Sequence, residues 1–136
     1  MQPKNLSQLK VLYVEDEVLI ALDGEEILRN LGFDRVTVAM TFQDAQTMID
    51  RDDFDLALLD INLGGGKTSL SLVDALRSKG VTVLLLSGYT QSQGLEKRLQ
   101  PPTIGKPFDE QTLHRAIMSA LTQARDMENE SRSAPR

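Results

Sequence analysis

The chain has 136 residues, 40% of them hydrophobic and only 4% aromatic, so one compact domain with an aliphatic core is expected. It contains no cysteine, which excludes disulfides and thiolate metal sites and suits a reducing cytoplasm. A net charge of −5 argues against nucleic acid as a direct partner, no apolar run reaches the roughly 18 residues of a membrane span, and residues 1–10 lack the apolar stretch of a signal peptide.

In chain order, the first apolar run is Val11 to Val14, of strand length and ending at Glu15. Near-continuous apolar runs of this kind indicate a strand buried on both faces, as in a parallel sheet. From Val18 to Leu31 the residues Ile20, Ile27, Leu28 and Leu31 form a helical stripe, and Gly32 is the expected stop. Arg35 to Ala39 is a weaker strand. Thr41 to Arg51 is a helix with Ala45, Met48 and Ile49 on one side, Thr41 at the cap and Asp44 in the first turn. Phe54 to Leu59 is a third strand, Leu70 to Lys79 a helix carrying Leu72, Val73 and Leu76, and Val81 to Leu86 a fourth strand.

The segment from Thr90 to Gln100 has a weak helical pattern and reads as the mobile part of the domain. Pro102 to Gly105 is a short fifth strand. Asp109 to Ala124 is the clearest helix, with Leu113, Ala116, Ile117, Ala120, Leu121 and Ala124 at helical spacing. A domain over 6–125 and a disordered polar tail over 126–136 follow from this. Five strand–helix units in alternation predict an α/β fold: a parallel sheet with helices on both faces.

In such sheets ligands bind at the C-terminal ends of the strands. Glu15, Asp16 and Glu17 follow the first strand, Asp60 the third, Ser87 the fourth and Lys106-Pro107 the fifth. Taken singly these are bland: acids favour helix starts, Ser-Gly makes turns, and Lys-Pro is an extended dipeptide. Together, carboxylates, a hydroxyl and one lysine at one edge are what Mg²⁺-assisted phosphoryl transfer to a carboxylate requires. Mg²⁺ takes hard oxygen ligands, and a cation offsets the repulsion between an anionic nucleophile and a phosphoryl group.

The strings Val14-Glu15-Asp16-Glu17, Leu59-Asp60-Ile61-Asn62, Leu86-Ser87-Gly88 and Gly105-Lys106-Pro107-Phe108 resemble the receiver domains of bacterial two-component response regulators, over about residues 8 to 124. The resemblance implies a flavodoxin-like, doubly wound sheet of order 2-1-3-4-5 with five helices. It implies Asp60 as phosphoacceptor and Mg²⁺ held by Glu15, Asp16, Asp60 and the Asn62 backbone carbonyl. Ser87 is then the switch hydroxyl, Lys106 the phosphoryl-binding lysine, and the Lys106–Pro107 bond cis. A sensor histidine kinase or phosphotransfer protein is the implied donor, and the last two helices are an implied surface for a homodimer.

Three positions depart from the usual pattern. Glu15 stands where Asp is commoner, Gly64-Gly65-Gly66 occupies a loop that often carries Pro, and Thr103 stands where an aromatic is usual. Leu-Leu-Leu-Ser-Gly-Tyr resembles the Phe-Ala-Thr-Gly-Tyr-like motif of small single-domain receivers that work with kinases of the HWE or related types. By that likeness Tyr89 takes a switch role beside Ser87 and Thr103.

Two other readings stay open. One is a Mg²⁺-dependent phosphatase with an Asp60 nucleophile, although Asn62 stands where such enzymes resemble one another in a general-acid Asp. The other is a degenerate receiver acting as a constitutive interaction domain. Gly66-Lys67-Thr68 suggests a phosphate loop, but Ile61 occupies the position of the required first Gly. His114 reads as a surface histidine.

Overall fold

The computed structural model describes residues 5–63, 69–88 and 101–133. After a 3-10 turn at Leu6–Gln8, the chain runs β1 (Lys10–Val14), α1 (Val18–Asn30), β2 (Arg35–Ala39), α2 (Phe42–Arg51), β3 (Leu56–Asp60), α3 (Leu70–Ser78), β4 (Thr82–Ser87), β5 (Thr103–Gly105) and α4 (Glu110–Ser133). The strands form one parallel sheet in the order β2-β1-β3-β4-β5, as expected. A fifth helix was expected near Thr90 to Gln100, which lies outside the described residues, as does Tyr89. Among the described residues no helix is long and apolar enough to cross a membrane.

The strands are apolar throughout because each alternates between two cores. Leu12 and Val14 of β1, Ala57 and Leu59 of β3, and Val83 and Leu85 of β4 pack with Ala45 and Ile49 of α2 and Leu72, Val73 and Leu76 of α3. Val11, Tyr13, Leu56, Leu58, Leu84 and Leu86 point to the other face, against Leu28 of α1 and Leu113 and Ile117 of α4. The period of two thus has no polar phase in the central strands, since both faces are covered. Thr41 Oγ1 accepts from the Asp44 N–H at 3.0 Å and caps α2. Gly32 and Gly80, at φ of 115° and 81°, turn the chain out of α1 and α3.

Two boundaries differ from the sequence reading. β3 starts at Leu56, because the Asp55 carboxylate accepts from the Lys10 N–H at 2.8 Å, and it extends to Asp60, which pairs with Leu86. The helix expected to end at Ala124 continues to Ser133, so residues 126–133, read as disordered tail, are helical. Met127, Glu128, Glu130 and Arg132 are good helix formers, and no Gly or Pro intervenes before Pro135.

Gly24, in the middle of α1, is fixed by a close approach. A Cβ there would lie 2.7 Å from two ring carbons of Tyr13 and closer still to its hydroxyl. Tyr13 is 1% exposed and its hydroxyl donates to the Ile20 carbonyl at 3.4 Å, so the ring has no room to retreat. Gly24→Ala is therefore expected to destabilise the protein by about 1–3 kcal/mol despite the better helix propensity of Ala. Tyr13→Leu in the same chain should recover most of this. Urea midpoints of the single and double variants measure it; a single variant as stable as wild type would contradict the packing.

Candidate functional site

The C-terminal edge of the sheet gathers the polar residues. Glu15 leaves β1 with its N–H donating to the Ala39 carbonyl at 3.0 Å, which fixes its backbone against β2. Its side chain is fully buried: Oε2 accepts from the Glu17 N–H at 3.2 Å and Oε1 from Lys106 Nζ at 2.7 Å. Asp60 closes β3, 6% exposed, its Oδ1 accepting from the Asn62 N–H at 3.3 Å and its Oδ2 from Lys106 Nζ at 3.1 Å. Lys106 is held to β4 by its own N–H, which donates to the Ser87 carbonyl at 2.7 Å. Asp16 is half-buried, and one carboxylate oxygen from each of Glu15, Asp16 and Asp60 lies within 4.8 Å of the others.

Among the described residues, one ammonium is paired within this cluster of three carboxylates, so the cluster is short of positive charge. Burial, with the charge of Asp60, lifts the Glu15 carboxyl to about 6 despite its hydrogen bonds to Lys106 and Glu17. Burial works against the Lys106 charge, but hydrogen bonds to Glu15 and Asp60 outweigh it and hold that ammonium above its ordinary pKa. Burial, and then the charges of Glu15, Asp60 and Asp23, keep the Tyr13 hydroxyl protonated.

Glu15, Asp16, Asp60 and Lys106, chosen from the sequence, thus meet at one edge. Ser87 ends β4, 3% exposed, and Asn62 contributes its N–H to Asp60. The Lys106–Pro107 bond is cis. Thr103 opens β5, exposed, its hydroxyl donating to the Pro101 carbonyl at 3.2 Å. His114 is exposed on α4. The Glu15–Lys106 ion pair was not foreseen.

A family model described as the response regulator receiver domain matches residues 11–118. The chain belongs to this family. The receiver is 32% identical to the phyllosphere-induced regulator PhyR of Methylorubrum extorquens AM1 over 115 residues, 82% of this chain and 43% of PhyR. The solution structure of the PhyR receiver domain of Erythrobacter litoralis is similar at 32% identity and a TM-score of 0.72, covering 84% of this chain and 90% of that one. SdrG from Sphingomonas melonis Fr1 is similar at 30% identity and a TM-score of 0.71, over 84% of this chain and 96% of SdrG. The receiver spans between 43% and 59% of the lengths of the curated relatives it matches. It is a regulatory domain of two-component signalling, and its acidic cluster groups Glu15, Asp16 and Asp60.

Proposed function

We propose that this receiver accepts a phosphoryl group on Asp60 from a histidine kinase, of the HWE or a related type, or from a phosphotransfer protein in the cytoplasm. The change of charge at Asp60 then alters its protein contacts. The observation that carries this reading is the Lys106 ammonium bound to Asp60 inside a cluster of three carboxylates at the sheet's C-terminal edge. An Asp60 oxygen attacks phosphorus, the donor's N–P bond breaks, and the imidazole leaves. In this reading Lys106 binds a phosphoryl oxygen and the Ser87 hydroxyl donates to another.

Mg²⁺ fits the donor set, because Glu15, Asp16 and Asp60 offer hard oxygens close together; the Asn62 backbone carbonyl would add a fourth ligand. When bound, the ion supplies charge that draws the phosphoryl oxygens toward Asp60. Proton and metal compete for Glu15, whose carboxyl titrates at about 6. Mg²⁺ affinity is therefore expected to be flat above that value and to fall about tenfold per pH unit below it. Calorimetric titration across this range checks it; affinity that stays level as Glu15 protonates would remove Glu15 from the ligand set.

The phosphatase reading is disfavoured by Asn62, which cannot relay a proton as an acid would. Incubation with acetyl phosphate and Mg²⁺ separates the readings. One labile phosphoryl group per chain, lost on adding a chelator during labelling, supports the receiver reading. Continuous turnover of phosphate esters would support the enzyme, and absence of both uptake and Mg²⁺ binding the degenerate receiver.

A further inference from the structure

At the N-terminal edge of the sheet, a cleft of about 540 Å³ opens where the 3-10 turn, the starts of β3 and β4, and α4 meet. Its volume falls in the range of small-molecule sites. The length of β3 separates it from Asp60 by about 16 Å. Leu6, Leu9, Met118 and Leu121 give the cleft an apolar wall, and Met118 is left 38% exposed there. One acid and one base also line it, Asp55 and Arg125. Asp55 is fixed in place: its carboxylate accepts from the Lys10 N–H at 2.8 Å, and its carbonyl from the Thr82 N–H at 3.1 Å. These bonds tie Asp55 to β1 and β4 without cancelling its charge. Arg125 is exposed, and among the described residues no acid pairs with it.

We propose that this cleft binds a free α-amino acid with a large apolar side chain. The ammonium group meets Asp55, the carboxylate meets the Arg125 guanidinium, and the side chain lies on the apolar wall. The two opposite charges decide the ligand class. A simple cation would face Arg125 and a simple anion would face Asp55, whereas a zwitterion complements both. The planar guanidinium fork also suits a carboxylate better than any other ligand group of that charge except phosphate. Being neutral overall, the amino acid approaches a chain of net charge −5 without repulsion, which a phosphate ester would meet.

The probe is L-phenylalanine, titrated into the ¹⁵N-labelled full chain, with the amides of Gly80 and Thr82, which line the cleft, as reporters. Saturable shifts at both are expected. Three further probes each lack one feature: L-phenylalaninamide the carboxylate, N-acetyl-L-phenylalanine the ammonium, and glycine the side chain. Affinity at least about fivefold lower is expected for each of them, and for phenylalanine with Arg125→Gln. Arg125 is exposed on α4, so this variant keeps the fold. No saturable shift at the two amides, equal affinity for any of the three further probes, or unchanged affinity in Arg125→Gln overturns the assignment. Neither Mg²⁺ nor chemistry at Asp60 enters the titration. A negative result therefore removes the cleft assignment alone, whereas failure of acetyl phosphate to label the chain removes the phosphoacceptor reading alone.

Discussion

Asp60→Asn is expected to abolish phosphoryl uptake completely while leaving the fold in place. Asparagine is nearly isosteric, and its carbonyl oxygen can keep the hydrogen bond that the Asn62 N–H now makes to Asp60 Oδ1. What disappears is the anionic oxygen proposed to attack phosphorus, and a neutral amide is no substitute nucleophile. The charge of Asp60 also helps burial lift the Glu15 carboxyl to about 6. Removing it should bring the Glu15 titration down toward the ordinary carboxylate range, visible in a ¹³C-detected pH titration. Intact mass after exposure to acetyl phosphate and Mg²⁺ gives the first readout, and a variant that still gained a phosphoryl group would refute Asp60 as acceptor.

Lys106→Ala should have the largest effect on stability. Its ammonium sits 2.7 Å from Glu15 and 3.1 Å from Asp60, and among the described residues it is the only cation paired with either carboxylate. Breaking a buried ion pair from one side leaves uncompensated charge and costs about 3–5 kcal/mol. The pH dependence follows from the signs. Lys106 titrates above its ordinary value, so its contribution is fully present below the unfolded-state pKa and is lost as pH rises through the folded one. Glu15, an acid raised to about 6, favours the folded protein while protonated and loses that contribution as pH rises from its unfolded value through about 6.

The deficit of the variant should therefore be smaller at about pH 5, where Glu15 is largely neutral and the lost contact is mainly that to Asp60, and largest at about pH 8. Millimolar Mg²⁺ should recover part of the loss at the higher pH, because a second cation then faces the carboxylates. Urea unfolding at the two pH values, with and without Mg²⁺, measures this. A deficit equal at both would mean that Lys106 acts through packing rather than charge.

The sheet was legible because Val11 to Val14 and Val81 to Leu86 are apolar on both faces, a pattern that only a covered parallel strand explains. The helix limits were legible where a residue type enforces them, as at the Thr41 cap and the Gly32 stop. The α4 boundary was not, because polar composition was read as disorder, whereas helix continuity depends on propensity and on the absence of a breaker. The site residues were legible by type and by position after each strand. Their pairings were not: that Lys106 binds Glu15 as well as Asp60 depends on how the loop tied to the Ser87 carbonyl sets the lysine over the sheet edge. The Tyr13–Gly24 contact left a trace in the sequence, a glycine inside a helical stripe, but its partner lies eleven residues away and only packing reveals it.

Reductive trapping tests the central assignment most directly. An aspartyl phosphate is an acyl phosphate, and borohydride reduces it to the alcohol, turning the modified Asp into homoserine. After incubation with acetyl phosphate and Mg²⁺, reduction and proteolysis, mass spectrometry should find homoserine at position 60 and at no other carboxylate. Homoserine at position 16, a reduced Glu15 side chain, or labelled protein with Asp60 intact would contradict the account.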